Sequence, residues 1–294
     1  MKAAIIGCVE FSNSMMIHLL EHPHADVVAI VSRSGSTFNS DFCSLAPLAE
    51  AHGIPCFLAD GQSQDAMAAW LAPYAPDVIF CLGWSHLLSQ KVLGLPSTAA
   101  IGYHPAPLPR GRGRHPVIWA LVLGLKKTAS CFFLMDDGAD TGDIIAEAPV
   151  IITPDDDAKS LLAKLTTVAT AQLNGIVDDL HRGQLPRRPQ DHKQSSSWRR
   201  RGQADGQIDW RMSMASIRNL VRALVPPYIG AHFIFNDSAV KVWRVTVSEM
   251  MVSDLEPGRV LSVDGKSVTV KCGDGAVVLH EHELASLPAV GDYL

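Results

Sequence analysis

Two side chains in the run from Ile101 to Asp143 have the chemistry for acid–base work, His104 and Asp140. An imidazole moves protons in either direction near neutral pH. A carboxylate beside it fixes the ring's orientation and favours its charged form. Ala99 to Tyr103 reads as the tail of a buried strand, and the Pro-rich turn that follows sends the backbone away from the sheet. In an open α/β sheet the residues just past a strand's carboxyl end line the ligand crevice, which puts His104 in a working position. A second strand, Ser130 to Met135, leads into Asp136-Asp137-Gly138-Ala139-Asp140-Thr141-Gly142-Asp143. Glycines there permit close approach of a ligand. If the two strands are neighbours, His104 and Asp140 reach the same crevice; the plainer reading is a His–Asp pair that only ties two strand ends together.

Other groups stand near this pair in the chain. Arg110, Arg112 and Arg114 alternate with Gly111 and Gly113, a pattern read as a flexible basic segment able to grip a phosphate. Ser34 to Asp41 is a polar loop at the end of the second strand; it is either a surface connection or a substrate contact through Asn39 or Asp41. Gly83-Trp84-Ser85-His86 follows another strand as a crevice-facing turn, with His86 read as a helix-start residue. His280 and His282 share a face of the last strand without a third ligand, and His22 and His24 flank Pro23 in a loop. Neither pair is read as a metal site.

The elements that must position these groups follow from periodicity. Lys2 to Gly7, Ser12 to Leu20 and Val27 to Ser32 form a βαβ opening, and Ser44–His52, Ser63–Trp70 and Val78–Leu82 continue the alternation. That is the pattern of an α/β, doubly wound Rossmann-like parallel sheet. The dinucleotide fingerprint is missing after Gly7, which argues against a nicotinamide cofactor. Pro154 to Gly183 carries a long amphipathic helix with an acidic start. Gln184 to Gln207 is polar, nearly without aliphatics, and contains the run Trp198-Arg199-Arg200-Arg201; it reads as an interdomain linker whose arginines are solvated, with contact to a nucleic acid or a phosphate as the other reading. Beyond it, a helix containing Ile217, Leu220, Val221 and Leu224 precedes five short strands with tight turns, a small β-rich unit of OB-like kind. The expected division is 1–183 for a catalytic domain, 184–207 for a linker and 208–294 for a small β-barrel.

Composition narrows the classes. A formal charge of −5 argues mildly against a general polyanion binder while leaving a local basic patch available. The cysteines Cys8, Cys43, Cys56, Cys81, Cys131 and Cys272 are scattered singly, as expected of buried reduced thiols in a cytoplasmic protein. No leader segment or membrane anchor is expected from the apolar runs.

HPAPLPRGRG followed by MDDGADTGD resembles a variant of the signature of the formyltransferases that use N10-formyltetrahydrofolate. The resemblance extends to the second unit, through Ile208-Asp209-Trp210 and Arg222-Ala223-Leu224 with Pro227 and Gly230. It implies a catalytic domain followed by a smaller one, N10-formyltetrahydrofolate as co-substrate and no metal. The family's catalytic His and Asp fall on His104 and Asp140. Gly83, Trp84, Ser85, His86 and Leu88 would lie along the pterin together with Asp136, Asp137, Gly138 and Ala139. Tyr103, Pro105, Arg110 and Arg114, with Asn39 and Asp41, are the expected acceptor contacts. The family's Asn, thought to hold the formyl oxygen, falls on Gly102. Loss of one such donor typically costs about a hundredfold to a thousandfold in rate. A backbone N–H or a water could substitute, protonated His104 could carry the oxyanion alone, Arg114 or His115 could enter, or the activity could be low or altered.

Relatives that formylate methionine on initiator tRNA tend to carry a Gly/Lys/Arg-rich insertion where this chain has SGSTFNSDFCSL, which contains no lysine. The segment is closer to the branch acting on nucleotide-linked amino deoxysugars. The expected partner is therefore a small nucleotide-linked amine, with tRNA as the competing acceptor. An amino-acid or hydroxylamine acceptor, a weakly active folate-binding relative and a homodimer are the further readings.

Overall fold

The structure is a computed structural model that describes residues 1–36, 40–250 and 253–294. It divides into two compact units. One comprises Met1–Pro116, Thr128–Val150 and Ala163–Trp198; the other comprises Val117–Lys127, Ile151–Leu162 and Arg199–Leu294. The polar segment 184–207 is thus shared: its first part is built into the first unit and its last part into the second.

The first unit is organised on β1 (Lys2–Ile6), α1 (Glu10–Glu21), β2 (Asp26–Ser32), α2 (Ala46–Ala51), β3 (Cys56–Leu58), α3 (Gln64–Leu71), β4 (Val78–Cys81), α4 (Gln90–Leu93) and β5 (Ala99–His104). There follow in chain order β6 (Arg112–Gly113), α5 (Pro116–Val122), which from Val117 on belongs to the second unit, β7 (Lys127–Leu134), β8 (Ile144–Ile151), α6 (Ala158–His181), whose residues up to Leu162 belong to the second unit, and β9 (Ser197–Trp198). The sheet order is β3-β2-β1-β4-β5-β7-β8, while β6 pairs only with β9. Strands β3 through β5 are mutually parallel and β5 pairs antiparallel with β7, so the sheet is mixed.

Why these segments form central strands is visible in how they are buried. Ala3, Ala4, Ile5 and Ile6 are all completely covered, because helices lie on both faces and successive side chains point to opposite sides. Ala3, Ile5, Phe80 and Ile101 pack with Met15, Met16 and Leu19 of α1 and with Leu173, Ile176 and Val177 of α6. Ala4, Ile6, Ile79 and Ala100 pack with Met67, Ala68 and Leu71 of α3 and with Val92 of α4. Each of the larger side chains buried here, Ile, Leu, Val, Met or Phe, contributes about 1.5–3 kcal/mol. The sheet is therefore a rigid floor whose register fixes whatever it carries at its ends. Helix α3 starts at Ser63, whose hydroxyl accepts the Ala66 N–H at 3.1 Å.

The second unit holds α7 (Met214–Ala223) and β10 (Ala231–Phe235), β11 (Ser238–Val247), β12 (Val260–Asp264), β13 (Ser267–Lys271) and β14 (Ala276–His282). Its antiparallel sheet runs β10-β11-β14-β13-β12, with Ile217, Leu220 and Val221 of α7 buried. Asn236 and Asp237 take left-handed backbone angles in the two-residue β10–β11 turn, as such hairpins require. The arginine run is used internally here. Arg199 and Arg201 lie 5.4 and 4.7 Å from the Trp119 ring centre, and both Arg199 and Arg201 bond to Asp205. Arg199 draws the Asp205 carboxyl well below the usual carboxylate range.

Among the described residues no disulfide joins the six cysteines, and Cys43 and Cys56 are only half-buried. Burial pushes the Cys81 thiol up to about 12. No helix among the described residues is long and apolar enough to cross a membrane.

Candidate active site

His104 is the last residue of β5 and is 4% exposed. Its Nε2 lies 2.7 Å from the Gly111 carbonyl oxygen, and its Nδ1 lies 3.5 Å from Asp140 Oδ2. A carbonyl only accepts, so Nε2 carries the hydrogen toward Gly111, and the Asp140 carboxylate faces Nδ1. The Asp140 carboxylate is pinned in turn, because Oδ2 accepts the Gly113 N–H at 2.8 Å. Asp140 itself sits at φ +58, left-handed backbone that residues other than glycine adopt uncommonly, Asp more readily than most.

The two residues reach each other by different routes. Because β7 is antiparallel to β5, Leu134 pairs with Ile101 while His104 pairs with Cys131. The carboxyl end of β7 thus lies beside the middle of β5, not beside His104 as the reading of two converging strand ends expects. Asp140 arrives on the loop 135–143, which folds back toward the imidazole. Asp136 stabilises that loop from within, accepting the Gly138 N–H at 3.0 Å and the Thr141 hydroxyl.

The turn after β5 is not a flexible basic segment. Gly111 and Gly113 have φ of +71 and +99, and a Cβ on either would lie 2.6 Å from the Trp198 ring or 2.5 Å from its carbonyl oxygen. Glycine is required there by conformation and by the approach of β9. Arg112, 7% exposed, turns inward to Gln190 Oε1 at 2.7 Å. Arg114 donates to the Ser85 carbonyl at 2.6 Å, which ties one expected acceptor contact to the expected pterin turn. Arg110 is exposed.

Gly102 shares the sheet face of His104 and is paired on both sides, with Cys81 and with Phe133. A Cβ built on it would meet Phe133 Cζ at 2.7 Å and Met135 Cγ at 3.2 Å. The volume next to this backbone position is therefore already filled by Phe133 and Met135, two residues that local sequence reasoning had no means of placing there.

The remaining expected residues divide. Trp84 lies under Arg33, whose Cζ is 5.5 Å from the ring centre, and Trp84 and His86 meet edge to face. The His86 imidazole is pushed below its ordinary value by partial desolvation and then by Arg33 and Arg114. Gly83 accepts the Cys8 thiol through its carbonyl. Leu88 is buried in the apolar layer of Ile79 and Ala100. Asp137 bonds to Gln90, and Ala139 is exposed. Pro105 accepts the Thr128 hydroxyl at 3.0 Å. Asp41 lies against the start of α1, its carbonyl accepting the Glu10 N–H at 3.0 Å, and burial raises its carboxyl. Asn39 lies outside the described residues.

Tyr103 departs from expectation. As the neighbour of His104 on a strand it points to the other face of the sheet, where its ring stacks on Phe11 with centroids 4.3 Å apart. Its hydroxyl accepts from Ser130 at 3.2 Å, and burial raises its phenol. It belongs to the core beneath α1 and is not beside the His104–Asp140 pair. Among the described residues no group of three or more His, Cys, Asp or Glu is placed to hold a metal ion.

A buried His104 faces the half-buried Asp140 on a mixed Rossmann-like sheet whose chain continues into an antiparallel β unit, and comparison with known proteins places this arrangement in a family. The chain belongs to the formyl transferase family: the family profile described as Formyl transferase matches residues 1–177, and its C-terminal domain profile matches 201–290. The protein is a formyltransferase. It is 30% identical to the methionyl-tRNA formyltransferase of Geotalea daltonii over 100% of this chain and 95% of that one. Its fold is shared with a Helicobacter canadensis N-formyltransferase solved with folinic acid and dTDP-3-aminofucose, at TM-score 0.72 and 16% identity, covering 95% and 98% of the two chains. It is likewise shared with WlaRD, a sugar 3N-formyl transferase solved with dTDP and 5-N-formyl-THF, at TM-score 0.71 and 16% identity over 98% and 99%.

Proposed function

We propose that the protein transfers a formyl group from N10-formyltetrahydrofolate to the primary amine of a nucleotide-linked amino sugar, with His104 and Asp140 as its catalytic pair. The observation that carries this reading is the buried imidazole held between Gly111 O and Asp140 Oδ2. The amine attacks the formyl carbon, the C–N bond to N10 breaks, and one proton passes from the attacking nitrogen to N10.

His104 serves this sequence chiefly as a donor. With Asp140 compensating the charge at Nδ1, the Nε2–H is available to the oxygen that becomes negative in the tetrahedral intermediate. The formyl oxygen competes with Gly111 O for that hydrogen, so substrate binding displaces the carbonyl. Glycine at 102 has no side chain to assist, and Phe133 and Met135 occupy the space beside it. The imidazole then returns its proton to the leaving nitrogen and takes one from the amine, which leaves the enzyme unchanged after each turnover.

The acceptor assignment draws on the lysine-free segment 34–45 and on the engagement of Arg199 and Arg201 within their own unit. Phosphate-dominated tRNA binding needs cations that are not already committed. The fold neighbours bound to dTDP and a dTDP-amino sugar support the same class. Similarity to a methionyl-tRNA formyltransferase makes charged initiator tRNA the competing acceptor. The test is formyl transfer from N10-formyltetrahydrofolate to dTDP-linked amino sugars, free amino acids, hydroxylamines and methionyl initiator tRNA. The expected result is kcat/KM for a dTDP-amino sugar at least about tenfold above that for any other acceptor. Preference for the charged tRNA would overturn the assignment.

A further inference from the structure

We infer that Gln190 is a positioning residue, one that holds Asp140 against His104 without touching the reacting atoms. Gln190 comes from the polar segment after α6, fifty residues along the chain from Asp140, yet it is 6% exposed. Its Nε2 donates to two carbonyls of the loop, Asp140 O at 2.9 Å and Gly142 O at 2.6 Å. Its Oε1 accepts from Arg112, at 2.7 Å from Nη2 and 3.3 Å from Nε. A guanidinium only donates, so the amide's oxygen must face Arg112 and its NH2 must face the two carbonyls. Arg112 Nη2 lies a further 3.1 Å from His192 Nδ1.

The consequence is a closed circuit around one carboxylate. Arg112 and Gly113 together form β6, and the Gly113 N–H holds the Asp140 side chain. Gln190 joins the same strand, through Arg112, to the backbone of Asp140. Side chain and main chain of Asp140 are therefore referenced to one two-residue strand, itself paired with β9. Such a frame is what a residue at φ +58 needs, since left-handed backbone at a non-glycine persists only where its surroundings over-determine it. Of the loop's other polar contacts, those of Asp136 are internal to it, while the Met135 N–H bonds to the Ala100 carbonyl at 2.9 Å and Asp137 bonds to Gln90; these hold the near end of the loop and leave Asp140 to Gly113 and Gln190.

Gln190→Glu separates the two sides of the amide. The carboxylate still accepts from Arg112 but presents oxygen to the carbonyls of Asp140 and Gly142, so only the loop side is lost. Gln190→Met is the uncharged second variant, of similar length and without either function. The primary readout needs no acceptor: 15N resonances of the His104 ring and amide exchange at 136–142 in the full chain. The expected result is a shift of the His104 Nδ1 resonance toward its position in Asp140→Asn protein, faster exchange at 136–142, and unchanged signals from the histidines of the second unit. In the Asp140→Asn background, Gln190→Glu should move the His104 resonance no further. Unchanged His104 signals, or the same shift in both backgrounds, would overturn the proposal. In the kinetic arm, kcat should fall about tenfold to a hundredfold while the Kd for 5-formyltetrahydrofolate changes less than about twofold. A loss confined to folate affinity would also overturn it. The inference rests on the His104–Asp140 reading, and the outcomes are separable. Full turnover in His104→Ala defeats that reading, whereas an undisturbed His104 resonance in both Gln190 variants defeats this one alone.

Discussion

The two sides of the candidate site are held by different physics. His104 sits on β5, a strand flanked by neighbours on both sides and covered by apolar layers on both faces, so its place is set by sheet register. Asp140 sits on a loop and is placed by single hydrogen bonds from β6 and from Gln190. The strand side is tolerant of losing one polar contact and intolerant of added volume. The loop side is the reverse, since each bond there fixes a degree of freedom that packing leaves free.

That contrast can be broken by substitutions on either side. Gly113→Ala carries the largest expected stability cost, because it strains a left-handed backbone and drives a methyl toward the Trp198 carbonyl. The expected loss is about 2–5 kcal/mol in denaturant unfolding, with turnover reduced as the Gly113 N–H leaves Asp140. A variant as stable and active as the parent would show that β6 does not hold the loop. Gly102→Asn restores the residue type that the resemblance places there, but on the strand side it meets Phe133 and Met135. It should destabilise by about 1–3 kcal/mol and bring no gain in rate. A faster enzyme would mean that Phe133 gives way readily and that the missing side chain was the main deficit.

How much of this was readable in the chain follows the same line. The βαβ opening, β5 with His104 at its end, the long helix after Pro154 and the strands after Ala231 carry strong periodicity, because each is buried in a regular way. Short β3 and the half-exposed β8 lack that pattern and were not recognised. The antiparallel pairing of β7 is a long-range choice that no local spacing encodes, so the route by which Asp140 reaches His104 was mistaken although the pair itself was found. The arginines were misread for a related reason. Composition marks Arg112 and Arg201 as cations but says nothing of Gln190 or Trp119, the partners that decide whether a guanidinium serves a ligand or the fold. Glycines at 111 and 113 suggest flexibility in the sequence, whereas Trp198 makes them a steric necessity.

The central claim is that an imidazole placed by the sheet and a carboxylate placed by the loop act as one unit. It is tested most directly by measuring kcat for His104→Ala, for Asp140→Ala and for the double variant, with 5-formyltetrahydrofolate affinity as the control for folding. Each single change is expected to cost at least about a hundredfold, with the double variant no slower than the worse single one and folate affinity retained. Losses that multiply in the double variant, or near-normal turnover in either single one, would contradict it.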